Sequence, residues 1–478
     1  MRKIILIAGL LFIGWLSVYA NSIKLYYAPE KNWMQYKTPE EAGWSVQKLR
    51  EAHKYFQKVG LSTAMLIYKG KVVVNWGNTN RIFLCHSVRK SFLSTLYGIY
   101  ATNGDININD TLADINFNDK PPLTKAQQQA TIRDLLTCTS GIARDKANPE
   151  ASFKKVINGK EVIVHYYDKL NSYKPGTHFQ YSNWSFNALG GIFNKETKSD
   201  LFNDFYNDIA KPIGMQNFSL HQNTFYQYNK YSLFPKYGFL MTTQDMARYG
   251  LLYLNNGNWN GKQIISENWV KKSTSTQVKT KDKMDLPFNG YGYLWWTCDS
   301  GYFKNHPVYS ALGFAGQTIN VFPKEDIVIV THNNTYRLHA DNFHYVNNKK
   351  TGILLELLLK AKTGSSEKNP ALIPLKTTKQ MKVFDLPLSC ARSYVGLYKL
   401  SGNSPVISLL KKCTIYLKND KLYIKSPAIF DNELLPQSKN KFIIKGLDLP
   451  LKFKLNNSEK HIRLSFYFMG NVCGKKIL

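Results

Sequence analysis

A serine three residues ahead of a lysine, at the start of an apolar helix, is a pattern that can do covalent chemistry. The segment His86-Ser87-Val88-Arg89-Lys90-Ser91-Phe92 has it. Residues i and i+3 share a helix face, so the Ser87 hydroxyl and the Lys90 amine are neighbours. With Ser87 at the helix N-terminus, the dipole favours negative charge there. The hydroxyl becomes a nucleophile when a base takes its proton, and a neutral lysine amine can be that base. A free lysine, with a pKa near 10.4, is only about 0.04% neutral at pH 7, and lowering it by about 3 units costs about 4 kcal/mol. Burial and a neighbouring cation, such as Arg89, can impose that shift. The spacing alone is common, because the chain also contains Ser45/Lys48, Ser152/Lys155, Ser365/Lys368, Ser408/Lys411 and Ser438/Lys441. Those read as solvated surface pairs; Ser87 differs in leading directly into a strongly apolar helix.

Two further segments could complete a site. Tyr181-Ser182-Asn183 lies in a Pro/Gly-containing loop before a predicted helix. A tyrosinate at 181 could shuttle a proton, and Asn183 could hydrogen-bond a substrate or Lys90. Taken alone, Tyr181 reads equally as an aromatic anchor, and Tyr-x-Asn recurs at Tyr253 and Tyr345. Leu312-Gly313-Phe314-Ala315-Gly316-Gln317 precedes a predicted strand. Glycine there lets another group approach the backbone closely, and an N–H beside it, paired with that of Ser87, would make an oxyanion hole. A β-bulge or a simple turn is the plainer reading.

These pieces need a scaffold. The chain has 478 residues, 44% apolar, 14% aromatic and 20% charged, which is globular usage and excludes wholesale disorder. The absence of a G-x-y period, heptads or a second long apolar stretch excludes collagen, coiled coil and multi-pass membrane protein. Arg2 and Lys3, the apolar run Ile4 to Val18, and Val18-Tyr19-Ala20 describe a signal peptide over 1–20, cleaved after Ala20, and hence export to periplasm or medium. Sixty-three Lys and Arg against 33 Asp and Glu leave +30, which reads either as a charge that only keeps an exported protein soluble or as an attraction to an anionic cell-wall or membrane surface. The basic residues are spread along the whole chain, unlike a nucleic-acid footprint, so no nucleic-acid partner is expected. Six cysteines show no zinc spacing and do not make a disulfide scaffold; a bridge among Cys390, Cys413 and Cys473 and free thiols are both open.

Helical spacing over about 40–60, two strands within Ala64 to Trp76, a long α-rich middle, strands over Val321 to Val330 and an apolar helix Gly352 to Leu359 predict an α+β domain over 21–360. Its sheet draws strands from both ends of the domain. Residues 361–380 are polar, with Gly and Pro, and read as a linker. Short alternating runs from Tyr394 to Phe468 predict an all-β domain over 381–478, a small antiparallel sandwich or barrel.

Taken together, the three segments resemble the serine β-lactamase and penicillin-binding protein superfamily, specifically the class C β-lactamase-related serine hydrolases. Ile132-Arg-Asp-Leu-Leu-Thr-Cys-Thr-Ser-Gly141, Pro212-Ile-Gly-Met215, Met241-Thr-Thr-Gln-Asp-Met-Ala247, Gly257-Asn-Trp-Asn-Gly261 and Tyr291-Gly-Tyr-Leu-Trp-Trp296 match family landmarks in order, over about 40–360. The resemblance implies a β-lactamase/transpeptidase-like fold, an antiparallel sheet flanked by helices with a helical subdomain. The C-terminal region looks like the lipocalin-like domain appended to some members. By position Ser87 matches the acylated nucleophile, Lys90 the general base, Tyr181 the catalytic tyrosine, Asn183 the third residue of that motif and Phe314 the second oxyanion N–H. Acyl transfer of this kind needs no metal or cofactor. One departure bears on substrate. Penicillin-recognising members carry Lys-Thr-Gly on the third strand, where this chain has Ala311-Leu312-Gly313. Losing that cation favours an ester or amide, as in the 6-aminohexanoate-dimer hydrolases, over a β-lactam or D-Ala-D-Ala peptide. Gly313 and Trp184 are expected beside the substrate, with Trp295, Trp296 and Phe314 as further candidates for an apolar acyl pocket. A non-catalytic binding protein on the same fold is the remaining alternative.

Overall fold

The computed structural model describes residues 27–147, 152–157, 160–165, 171–280, 288–335, 345–375, 383–401, 412–426, 432–445, 449–455, 460–465 and 471–477. The expected signal peptide lies outside them. A ten-stranded sheet forms the frame of the N-terminal body. Its central strands, Thr63–Tyr68, Val308–Gly313, Gln317–Phe322 and Ile327–His332, are buried throughout. Such strands, covered on both faces, read as continuous rather than alternating apolar runs. Ile327–His332 pairs with Thr63–Tyr68, so strands from the two ends of the domain meet side by side as expected.

Helices pack on both faces. Val46–Val59 starts at Ser45, whose side chain accepts from Lys48 N, and ends at left-handed Gly60. It buries Leu49, Ala52, Phe56 and Val59, one stripe of helical period, each worth roughly 1.5–3 kcal/mol when a large apolar side chain is fully covered. Arg89–Asn103 is different. Every residue from Arg89 to Gly98 is buried, so this helix runs through the centre of the body.

Two sequence readings need correction. The 361–380 segment is not simply a linker: Leu372–Pro374 pairs antiparallel with Met34–Tyr36 and adds an edge strand to the large sheet. The polar composition hid a three-residue strand whose backbone does the pairing. Met34–Tyr36 in turn runs parallel to Lys71–Trp76, so the sheet is mixed at that edge.

The C-terminal region is a closed eight-stranded antiparallel barrel, Gly396–Ser401, Lys412–Lys418, Lys421–Lys425, Asn432–Ser438, Lys441–Ile444, Leu449–Leu455, Lys460–Ser465 and Asn471–Lys476, with last strand paired to first. Tyr394 ends a short helix, Leu388–Tyr394, rather than beginning a strand. Tyr398, Ile415, Ile424, Phe442 and Phe453 point inward and fill the barrel. Ile82 and Leu240 of the N-terminal body belong to the same apolar cluster, so the barrel is packed against the short strand Ile82–Leu84 that leads to Ser87. All six cysteines are free thiols.

Candidate active site

Ser87 stands in a single 3-10 turn, His86–Val88, that feeds the central helix Arg89–Asn103. The chain enters it sharply. Cys85 N donates to Phe239 O at 2.9 Å, fixing the entering strand, and His86 then takes a left-handed φ of 48°. For a residue with a large side chain that conformation costs energy, and the surroundings hold it. The His86 ring is tied to Thr335 Oγ1 at 2.9 Å through Nε2. Ser87 is left half-buried, while Lys90 one turn on is only 2% exposed.

Lys90 Nζ lies 2.6 Å from Ser87 Oγ, 2.7 Å from Tyr181 OH and 2.9 Å from Asn183 Oδ1. One side-chain nitrogen thus touches both hydroxyls and the amide. The aromatic faces of Phe186 and Tyr181 lie 4.4 and 4.7 Å away, an environment that replaces water around the nitrogen. Arg89 does not share this group. Its guanidinium donates to Asn187 at 3.1 Å and covers the Tyr237 ring.

Tyr181 comes from 91 positions away, and a defined loop delivers it. Thr131 and Asp134 form a reciprocal capping box on the helix Ile132–Leu136. The residues after that helix then receive the Tyr181 loop edge-on. Gln180 N donates to Cys138 O, Gly176 N to Thr139 O and Tyr173 N to Gly141 O. Asn183 follows as the first residue of the helix Asn183–Thr197. Cys138 is buried beside this junction, and desolvation pushes its thiol pKa up to about 12, so it stays protonated.

Gly313 closes the site from the sheet side. A Cβ there would lie 2.5 Å from Cys85 O and 3.2 Å from Val88 Cγ2, so only glycine lets the strand Val308–Gly313 abut the Ser87 turn. Phe314, the next residue, is half-buried with its ring 5.3 Å from that of His86. Gln317 anchors the return strand, its Nε2 donating to Asn333 O at 2.9 Å.

The candidate residues therefore divide. Ser87, Lys90, Tyr181 and Asn183 converge, and Gly313 and Phe314 flank them. Trp184 does not join them. It is fully buried, and its indole N–H donates to Asp119 Oδ2 at 2.6 Å, which makes it a core residue on the inner face of its helix. Trp295 is likewise core, stacked among Tyr249, Tyr253 and Tyr309. Trp296 is the tryptophan beside the site, with its ring stacked 5.8 Å from Tyr181. Three neighbours escaped the sequence reading. His86 adjoined Ser87 but carried no signal beyond adjacency. Thr335 had none. Tyr345, noticed only as a recurrence of Tyr-x-Asn, places its ring 5.4 Å from Phe314.

The family-model description "Beta-lactamase" matches residues 50–347, more than half of the chain and nearly all of the body just described. The chain belongs to the beta-lactamase family. Members of this beta-lactamase family are serine hydrolases, and the match lies within the α+β, β-lactamase/transpeptidase-like body; the C-terminal barrel lies outside it. An uncharacterized protein of Alkalihalophilus pseudofirmus is 24% identical over 281 residues, 54% of this chain and 75% of its own length. Protein flp of Staphylococcus aureus is 29% identical over 123 residues, 26% of this chain; the match spans only a quarter of that protein. Among solved structures, a penicillin-binding protein homologue from Pyrococcus abyssi superposes with a TM-score of 0.47 at 16% identity, covering 89% of this chain and 99% of its own. A 6-aminohexanoate-dimer hydrolase homologue from Bacillus anthracis gives 0.47 at 17%, covering 68% and 89%. For this beta-lactamase-family chain, no group of three or more His, Cys, Asp or Glu is placed to hold a metal ion among the described residues.

Proposed function

We propose that this protein is an exported serine hydrolase that forms an acyl-enzyme on Ser87 and hydrolyses a small ester or amide. The observation that carries the reading is the position of one buried nitrogen, Lys90 Nζ, within 2.7 Å of both Ser87 Oγ and Tyr181 OH. In the acylation step Lys90, as the free amine, takes the Ser87 proton while Oγ bonds to the substrate carbonyl carbon. The N–H groups of Ser87 and Phe314 stabilise the oxyanion. As the carbonyl re-forms, the bond to the leaving group breaks, and Tyr181 passes it the proton that Lys90 accepted. Water then gives a proton to the same pair as its oxygen bonds to the acyl carbon; the bond from that carbon to Ser87 Oγ breaks, the acid leaves, and the pair returns the proton to Oγ. Asn183 orients Lys90 and, with Gly313, borders the substrate. No cofactor enters these steps.

Ala311 and Leu312 stand where a cation would hold a β-lactam or peptide carboxylate, which supports a neutral ester or amide. The basic patterning of the N-terminal residues supports export, and the net charge supports an anionic cell-wall or membrane surface as an environment. The test is intact-mass spectrometry with a fluorophosphonate probe on wild type and Ser87→Ala, followed by turnover of short-chain esters, amides and nitrocefin. One adduct on wild type, none on the variant, and ester or amide turnover without nitrocefin is the expected result. Nitrocefin turnover moves the substrate to β-lactams. No adduct at neutral or mildly alkaline pH overturns the catalytic reading in favour of a binding protein on this fold.

A further inference from the structure

The barrel carries a second feature that the hydrolase reading leaves unexplained. Residues 381–478 hold 17 Lys and Arg against 6 Asp and Glu. Their register is more telling than their number. Lys399 stands directly opposite Lys412 on one neighbouring strand and opposite Lys475 on the other. Lys475 is opposite His461, and His461 opposite Lys454, so one row of basic positions crosses five adjacent strands. One step along the strands, Lys452 stands opposite Lys441 and Arg463, starting a second row. Lys399, Lys412, Lys441, Lys452 and Lys454 are in the outward register, because Tyr398, Cys413, Phe442, Leu451 and Phe453 alternate with them and are buried. Lys399, Lys412, Lys441, Lys452, Lys454 and Lys475 are exposed.

Like charges directly opposite on antiparallel strands have Cβ atoms about 4.5–5.5 Å apart and destabilise the pairing. Two ordinary explanations fail. Lysines protect exposed sheet edges from aggregation, but a closed barrel has no edge. Solubility is served by mixed charges, without placing cations opposite one another. The same barrel uses charge pairing elsewhere. Glu433 lies 2.6 Å from Lys445 and 3.3 Å from Lys421. That pair lies on strands away from the row that runs through Lys399.

We infer that the outward face of the barrel around Lys399 and Lys452 binds a linear polyphosphate, a flexible chain of linked phosphates that tracks the basic rows. Adjacent strands are about 4.8 Å apart, so the five-strand row follows roughly 20 Å of curved wall. A flexible chain bearing a charge at every link follows that curve; a flat bilayer meets one arc of it. Binding would dock the hydrolase on such a polymer through a surface that holds none of the Ser87 machinery.

The test uses the full chain and long-chain inorganic polyphosphate, with affinity measured by anisotropy from 50 to 300 mM salt. The row variant is Lys399→Glu with Lys452→Glu. The control is Lys54→Glu with Lys58→Glu on the helix Val46–Val59, an equal change of net charge. The row variant is expected to bind at least tenfold more weakly, with its log Kd against log salt slope reduced by about 2, and the control less than twofold. Without polyphosphate, the row variant should melt at the same temperature as wild type or above it, since an opposition is relieved. Lys399→Gln with Lys452→Gln gives the same order with a smaller loss. Equal weakening of row and control variants overturns the inference, leaving only net charge. Preference for phosphatidylglycerol vesicles over polyphosphate overturns it in favour of a membrane.

Discussion

Lysine is used in two opposite ways in this molecule. In the N-terminal body a single lysine, Lys90, is buried and held by three named partners within 2.9 Å. On the barrel, lysines stand exposed in rows, set against one another across the strands. The first arrangement works because water is excluded. In a low-dielectric site each hydrogen bond and each charge counts fully, and their positions decide reactivity. The second works through a field summed over many charges, none individually decisive, and salt screens it over about 8–10 Å. A chemical step needs the former; attraction to a long anionic partner is served by the latter.

The contrast breaks first at Lys90 itself. Lys90→Met removes the amine but keeps a similar apolar length, and the rate of fluorophosphonate labelling is expected to fall by about 10³-fold or more. The substitution also leaves Asn183 Oδ1 without that donor, so the melting temperature should fall modestly, by an amount set by one buried unsatisfied acceptor, about 1–3 kcal/mol. Labelling that survives the substitution at the wild-type rate would mean that Lys90 is structural rather than reactive.

Gly313→Ala probes the same precision without touching the reacting groups. The new Cβ meets Cys85 O at 2.5 Å and forces the strand away from the Ser87 turn. A shift of about 1 Å is worth about 10²-fold in rate, so turnover should drop by that order while the unfolding transition stays cooperative.

A third test stays within the buried body. His332 is fully covered, stacked on Phe83 and bonded through Nδ1 to Thr243 Oγ1 at 3.0 Å. Desolvation, and after it the nearby His86, lowers its pKa to about 3. The folded state refuses a proton that the unfolded chain accepts below about pH 6.5. Stability is therefore unaffected above that pH and lost as pH falls from about 6.5 towards 3, by about 1.4 kcal/mol per pH unit. Urea unfolding at pH 7, 6, 5 and 4 should show that extra slope in wild type and not in His332→Gln.

The smallest effect belongs to the barrel surface. Burial alone would raise the Glu433 pKa, but the ammonium groups of Lys445 and Lys421 hold it below the usual carboxylate range. Its contribution is present above the unfolded-state pKa and fades as pH falls below it. Both lysines are more than half exposed, so Glu433→Gln should cost about 0.5 kcal/mol or less at neutral pH. That difference should shrink further in 0.5 M salt, whereas the Lys90→Met loss should be unchanged by it. Equal salt sensitivity of the two would erase the distinction between the regions.

Where geometry follows from spacing, the chain announced it. Ser87 and Lys90 are neighbours because three residues make nearly one helical turn. The strands of the barrel alternate because a pleat has period two, and the runs after residue 394 displayed that period. Other features have no local signature, because they depend on which distant segments pack together. The 2.7 Å contact of Lys90 with Tyr181 spans 91 positions and exists because the Tyr181 loop is pinned to Cys138, Thr139 and Gly141. Trp184 sits one residue from Asn183, yet the helix turns it about 100° away into the core, against Asp119. The same holds for the edge strand Leu372–Pro374 and for the opposition of Lys399 to Lys412 and Lys475. Composition counted those lysines. Only strand register, set when the barrel closes on its buried side chains, put them face to face.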